Sequence, residues 1–462
     1  MAEQTRCRII SGPSDWQILQ QDDTGHAEIS LAGTWSLPED AKAGAPIVRA
    51  VREDTYAPVS AATDWQDAET GPDQTWAAQL RVPAGGLYRI ESGVKNDDAH
   101  FYWTCRGDII HNIGVGDLWV IAGQSNASGY GRGEIDDPPE LGVHFLRNDE
   151  QWCLATHPLN EARKSDHPNV ESLNPGHSPF LVFAKRLKHE LGYPIGLIQT
   201  ACGGTTLSQW NPAEDPDSLL YRNLLHCVGL ANDKIKGICW YQGCGDANRE
   251  QGISYLERFE QLVEALRSDI GDPQLPILTV QIDRITSDEQ ADMAVGWNAV
   301  REAQRQAAHL IPNLAVVPTI DLPVSDFVHL APAGNMLLGG RLSAAALGMV
   351  YGKDVHWLAP EICQATAESG RRSVRLAFKN VPIRLFSDYP VTEDFVVEDG
   401  GGILEIEDVT FSSNDEILIV LRRPVGEGAV VHGCYGPNPR NSVYEMATHW
   451  PPLAFHQFSI EL

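Results

Sequence analysis

Between Gly114 and about Gly352 the chain alternates two hydrophobic patterns. Short, continuous apolar runs cover 118–122, 194–200, 235–241, 276–282 and 314–320. Runs of this kind belong to strands covered on both faces. Between them lie longer segments with apolar residues every three or four positions, at about 218–230, 254–270, 293–310 and 333–350, the period of helices with one buried face. A further helix opens at Ser178-Pro179 and closes at Gly192, with a serine N-cap, a proline at the first position and a glycine stop. The pattern predicts a five-stranded parallel sheet in a three-layer α/β/α arrangement.

On either side the pattern becomes that of short strands. Residues 27–35 and 46–52 alternate, and 76–82 and 87–92 read as a hairpin across the PAGG turn. After Gly352, strand patterns return at 374–378, 403–409, 417–421 and 429–432, separated by Gly and Asp/Asn turns. The expected division is an N-terminal β-sandwich-like domain (1–113), a catalytic α/β domain (114–354) and a C-terminal β domain (355–462). Residues 130–178 read as one long polar loop walling one side of a cleft.

Composition narrows the function. With 43% hydrophobic residues the chain can build a sizeable core, and its net charge of -27 repels nucleic acid and anionic membranes at long range. A neutral small-molecule substrate fits that charge best. Nine cysteines without a CxxC pair, and a first stretch (MAEQTRCRII) without signal-peptide features, lead us to expect reduced thiols in a cytoplasm, or a secreted protein if a leader has been removed. No apolar run approaches the roughly 20 residues needed to span a bilayer.

Chemistry-bearing residues recur at the carboxyl ends of the predicted strands, where open α/β sheets bind their ligands. Ser125 follows the first strand in GQSN, Cys202-Gly203-Gly204-Thr205 follows the second, Gln242-Gly243 the third, and Asp326 to His329 follow the last. A serine hydroxyl needs a base within hydrogen-bond reach to act as a nucleophile near neutral pH. His329 can be that base, and Asp326 the carboxylate that orients it. The Ser125 amide, a glycine amide of the CGGT turn and the Gln242 side chain are suitable donors to an oxyanion.

GQSN after a strand, the GGT-x-x-x-x-W turn (203–210), W-Y-Q-G (240–243) and the late D-x-x-H together resemble the SGNH hydrolase superfamily, most of all its sialate O-acetylesterase and acetylxylan esterase-like branch. WQILQQD near the start, and GCYGPNP and PPLAF near the end, resemble the flanking β regions of sialate O-acetylesterase-like proteins. The resemblance implies a flavodoxin-like SGNH hydrolase domain and a serine esterase (carboxylic ester hydrolase) acting through an acyl-enzyme on O-acetyl groups of a sialic acid, xylan or related glycan. It implies Ser125, Asp326 and His329 as the triad. It implies Ser125, Gly203 and Gln242 as the oxyanion hole, with Gly204 the competing glycine. Asn126, Gly204 and Trp210 are candidate substrate contacts. The branch reads WYQGE where this chain has Cys244.

Other readings compete. Ser125 alone would be a helix cap, and Gln242 a buried amide joining two loops. Trp210 and Trp240 could be core. Asp321 is the alternative acid, while His309 and His356 are poorer bases. The tenfold spacing of His157, His167 and His177 is not a ligand spacing, and Asp136, Asp137 and Glu140 read as a solvated loop. The sequence predicts no metal and no organic cofactor. The expected partner is an acetylated carbohydrate or another small ester, and the alternatives are a lipase- or thioesterase-like activity or an inactive glycan-binding scaffold.

Overall fold

The computed structural model describes residues 6–37, 43–96, 106–161, 165–170, 175–286 and 290–462; residues 162–164 and 171–174 of the expected long loop lie outside that description. The centre is a mixed sheet. Of its eleven strands, seven run along one path: β1 (Arg106–Gly123), β2 (Val143–Leu146), β3 (Trp152–Leu154), β4 (Ile195–Gln199), β5 (Gly237–Tyr241), β6 (Ile277–Val280) and β7 (Leu314–Val317), in the spatial order β3-β2-β4-β1-β5-β6-β7. All five expected strands are present and pair in parallel. The sheet is wider than expected. Β2, a four-residue strand inside the supposed loop, adds a sixth parallel member beside β4, and β3 closes that edge antiparallel. Four residues with a histidine second give too little pattern to read. His144 is nonetheless fully buried, with Nδ1 2.6 Å from the Trp16 carbonyl, and burial lowers its pKa to about 4.

Helices α1 (Ser125–Ser128), α2 (Phe180–Leu191), α3 (Leu219–Gly229), α4 (Tyr255–Ile270), α5 (Gln290–Leu310) and α6 (Pro332–Ala345) fill the connections. Β1 to β4 crosses the sheet in one direction and β4 to β5 to β6 to β7 in the other. Right-handed crossovers therefore put α2 on one face and α3, α4 and α5 on the opposite one. Every residue of β4 and β5 is buried, which is why these strands read as unbroken apolar runs. Ile121 sits at the middle of the sheet, flanked by Gln199 and Cys239 and fully buried. Its truncation to alanine would cost about 2–5 kcal/mol.

The N-terminal strands form two sheets. Thr75–Pro83 pairs with His26–Trp35, whereas Gly85–Asn96 pairs with Gly44–Arg52 and with β1. The expected hairpin is therefore absent: the PAGG turn, with Gly85 at φ +132° and Gly86 at φ +124°, carries the chain from one sheet to the other. Alternation specifies a strand's two faces and not its partner. Β1 itself is shared, its first part pairing with Gly85–Asn96 and its second with β4 and β5. At the joint Asp117, 1% exposed, accepts hydrogen bonds from Gln20, Gln21, Tyr193 and Tyr351.

The C-terminal region is β-rich. One antiparallel sheet holds Glu361–Ala367, Ser373–Lys379, Glu416–Leu421 and Ile406–Phe411; another holds Gly402–Leu404, Phe395–Asp399, Val430–Gly433 and Phe455–Ser459. The run 403–409, expected as one strand, divides at Glu405 between the two sheets. This region meets the central layer through the segments singled out in the sequence. Arg301 of α5 donates to the Gly436 and Pro437 carbonyls, and Gln281 exchanges two hydrogen bonds with the Ala454 backbone. Among the described residues no helix is long and apolar enough to cross a membrane.

Candidate active site

Β1 ends at Gly123, whose φ of +124° and closeness to Tyr241 leave no room for a side chain: a Cβ would lie 2.2 Å from the Tyr241 oxygen. The chain turns there, Gln124 acts as N-cap, and Ser125 opens the four-residue helix α1. First-turn amides have no partner within a helix, so the Ser125 and Asn126 N–H groups are oriented as donors. The Gln124 side chain explains the glutamine of GQSN: its Oε1 accepts from the Gly243 and Gly245 amides, at 3.0 and 3.2 Å, and pins the loop after β5 to that after β1.

Ser125 Oγ lies 2.9 Å from His329 Nε2, and His329 Nδ1 lies 2.8 Å from Asp326 Oδ2. The other Asp326 oxygen accepts from the Val328 and His329 amides. Burial alone would raise the Asp326 pKa; these backbone bonds and the bond to the imidazole outweigh it and hold the carboxyl below its usual range. The fold thus brings Ser125 onto an Asp-His pair that lies two hundred positions later in the chain. Asp321, the alternative acid, is paired with Arg341, and His309 is paired with Glu361. The Tyr130 ring lies against His329, with centroids 4.8 Å apart, and Phe327 stands 55% exposed beside the triad.

The other expected site residues divide. The Cys202 amide continues the β4–β1 ladder onto the Gly123 carbonyl, just before the turn glycines Gly203 and Gly204 on one strand and two residues before Ser125 on the other. Gly204 has φ +73° and open space around it. Gln242 differs from expectation. It is fully buried, both amide hydrogens are used, on the Thr205 carbonyl (3.2 Å) and Asp246 (2.6 Å), and its oxygen accepts from Tyr255. It braces two loops and has no hydrogen left for an oxyanion. Trp210 is also fully buried, donating to Thr205 and packed edge-on to Trp240, so it offers no surface to a substrate. Asn126, 3% exposed, accepts from the Leu330 amide and donates to the Val328 carbonyl. Its amide clamps the His329 loop rather than facing a cleft.

Sequence reasoning missed several residues. Asp246, fully buried, accepts from Gln242, the Leu207 amide and Arg258, and so locks the glycine turn to the β5 loop. Asp283, three residues past the end of β6, is fully buried with both side-chain oxygens unpartnered among the described residues, and burial pushes its carboxyl well up. Cys244 is partly exposed as a residue, yet burial of its thiol, with Asp283 nearby, pushes the thiol well up and keeps it protonated. It is not a competing nucleophile.

Asp137 is a correction as well. Its side chain is 1% exposed and bound by His157, His177 and Lys185, so it organises the long loop instead of lying solvated within it. Burial would raise its pKa, but these three partners hold it far below the usual carboxylate range. The histidines spaced by ten are thus sorted by the fold: His157 and His177 meet on Asp137, while His167 meets His226 on Glu150.

The sequence model of the family described as "Carbohydrate esterase, sialic acid-specific acetylesterase" matches residues 115–348. An Arabidopsis thaliana protein named probable carbohydrate esterase is 30% identical over 258 residues, covering 50% of this chain and 90% of that protein. The Homo sapiens sialate O-acetylesterase is 22% identical over 328 residues, and this chain spans 61% of its length. A solved carbohydrate acetylesterase from Xanthomonas citri superposes over 96% of this chain and 97% of its own with a TM-score of 0.67 at 19% identity, a likeness of fold that includes the flanking β regions. With the family matched over half of its length, the chain belongs to the carbohydrate esterase family of sialic acid-specific acetylesterases.

Proposed function

We propose that the chain is a serine esterase that removes O-acetyl groups from a carbohydrate, with Ser125 as nucleophile, His329 as general base and acid, and Asp326 as the carboxylate that orients the imidazole. Ser125 Oγ attacks the acetyl carbonyl carbon while its proton passes to His329 Nε2. The tetrahedral intermediate collapses, the sugar hydroxyl leaves with the proton from His329, and the acetyl group stays on Ser125. Water, deprotonated by the same imidazole, then releases acetate. Asp326 remains ionised throughout, in keeping with its depressed pKa. Because the Gln242 hydrogens are engaged elsewhere, the oxyanion donors are main-chain: the Ser125 amide and an amide of the Gly203-Gly204 turn.

One observation carries this reading, the unbroken line from Ser125 Oγ through His329 to Asp326 at 2.9 and 2.8 Å. The sheet supports it: with β2 and the edge strand β3 set aside, the order β4-β1-β5-β6-β7 is the 2-1-3-4-5 order of flavodoxin-like folds, and we read it as an SGNH hydrolase sheet. Residues 1–113 and 355–462 act in this reading as β units supporting a catalytic unit of 114–354. The charge of -27 favours a neutral acetylated sugar over an anionic one, and Phe327 gives that sugar an exposed aromatic face. The test is acetate release from acetylated xylo-oligosaccharides, acetylated sialic acids and p-nitrophenyl esters, with Ser125→Ala beside the parent. Turnover that survives in Ser125→Ala sinks the mechanism; preference for long acyl chains sinks the substrate class.

A further inference from the structure

Two clusters outside the triad bring a pair of imidazoles onto one carboxylate. In the first, Lys185 already neutralises Asp137 from its other oxygen and the carboxylate is almost inaccessible, so an incoming cation would face an ammonium with no path to it. The second differs on both counts. Glu150 Oε1 lies 3.1 Å from His167 Nε2 and 2.8 Å from His226 Nε2, and the three atoms lie within 4.8 Å of one another. Among the described residues no lysine or arginine pairs with Glu150; Arg147, in the same turn, pairs with Glu161. The Glu150 and His226 side chains are 43% and 53% exposed, so water reaches the cluster.

We propose that Glu150, His167 and His226 form a zinc site. Two imidazoles and a carboxylate, with a fourth position open to water, suit that ion. Tetrahedral ligands at roughly 2.0–2.2 Å from zinc stand about 3.4 Å apart, close to the separations already present. Cys227 supplies an outer partner: its sulfur lies 3.8 Å from His167 Nδ1, on the side of the ring away from Glu150. Without metal, each imidazole donates from Nε2 to Glu150. On binding through Nε2, the ring proton would move to Nδ1, which in His167 faces the Cys227 sulfur. The Cys227 sulfur sits on the Nδ1 side of the His167 ring, away from the Nε2 that would hold the ion, and so serves as an outer partner and not as a ligand.

The ion would join three elements beside the catalytic edge. Glu150 lies in the turn between β2 and β3, His226 on α3, and His167 in the segment whose next residues reach the glycine turn. The Pro168 carbonyl is 3.6 Å from Cys202 Sγ, and the Asn169 amide bonds to Asn148 and to the Gln199 carbonyl. Zinc at this site would hold that segment against the loop carrying Gly203.

The test is titration of zinc into the metal-free protein, followed by calorimetry and by thermal unfolding. We expect one zinc per chain and a midpoint that rises with zinc. His226→Ala and, separately, Glu150→Gln lose both; since an outer partner alone is worth about ten- to a hundredfold in affinity, loss of a ligand lowers it by more than about tenfold. His157→Ala, which touches only the Asp137 cluster, keeps both. Cobalt(II) in place of zinc gives tetrahedral d–d bands without thiolate charge transfer. Absence of zinc uptake overturns the proposal, as do uptake that survives both variants, uptake lost in His157→Ala, or a thiolate band.

Discussion

Asn126 decides whether the residue after the nucleophile serves the substrate or the loop that carries the base. In Asn126→Ala two hydrogen bonds go. The Leu330 amide loses its acceptor at 3.0 Å, and Leu330 is fully buried, so water cannot replace the bond; an unsatisfied buried N–H costs about 1–3 kcal/mol. The Val328 carbonyl, bonded at 3.2 Å, belongs to a partly exposed residue, and water can take over there at a cost between zero and about 1 kcal/mol. The sum is about 2 kcal/mol, a fall in midpoint of roughly 4–8 °C for a unit of this size. The loosened loop carries His329. A misplacement of about 1 Å between reacting groups costs on the order of a hundredfold in rate, so kcat falls by about ten- to a hundredfold. KM for p-nitrophenyl acetate moves by less than about threefold, since no group that binds substrate has been removed. Thermal unfolding and steady-state kinetics on one preparation read both numbers. An unchanged midpoint with a raised KM and an intact kcat would refute the reasoning and put the Asn126 amide on the substrate.

Phe327→Ala should raise KM for an acetylated oligosaccharide by about tenfold, equivalent to about 1.4 kcal/mol of lost contact, and leave p-nitrophenyl acetate unaffected; equal effects on both would place Phe327 in the triad's support instead. Asp137 has a folded pKa far below its unfolded value of about 3.9. Its contribution is therefore complete above that value and lost as pH falls through the depressed one, so the midpoint gap between parent and Asp137→Asn should be full at about pH 6 and shrink from about pH 4 downward. A gap that widens on acidification would contradict the assignment. With a net charge of -27, kcat/KM for an anionic acetyl ester should rise with added salt while that for a neutral one stays flat; the opposite order would point to a basic pocket at the site.

The triad was legible because parallel strands present their carboxyl ends at one edge, so residues far apart in sequence could be placed together from strand order alone. Side-chain direction was not legible. GQSN, GGT-x-x-x-x-W and W-Y-Q-G mark three loops at that edge, but only the partners of each side chain separate Ser125, which meets His329, from Gln124, Trp210 and Gln242, which are spent on bonds within and between the loops. Β2 stayed hidden because four residues are too short for a period, and the hairpin at PAGG was misread because alternation does not name a partner. The carboxylates Asp137 and Asp283 are indistinguishable in sequence from surface ones; what buries them is packing against α2 and α5, which no local pattern records.

That sorting changes what the replacement of glutamate by Cys244 means. If Gln242 were an oxyanion donor, a change two residues later would act on the chemistry directly. In the structure Gln242 is held by Thr205, Asp246 and Tyr255, and its loop is held again by Gln124 through the Gly243 and Gly245 amides. None of these bonds involves the side chain at position 244. The thiol instead feels the charges of Asp283 and Arg301, and a carboxylate in its place would lie within electrostatic range of a second buried carboxyl group that is itself held up by desolvation. Two such groups cannot both ionise without a large cost. With Asp283 present, a small neutral residue at 244 is the arrangement that electrostatics favours, and the triad and its main-chain donors are indifferent to it.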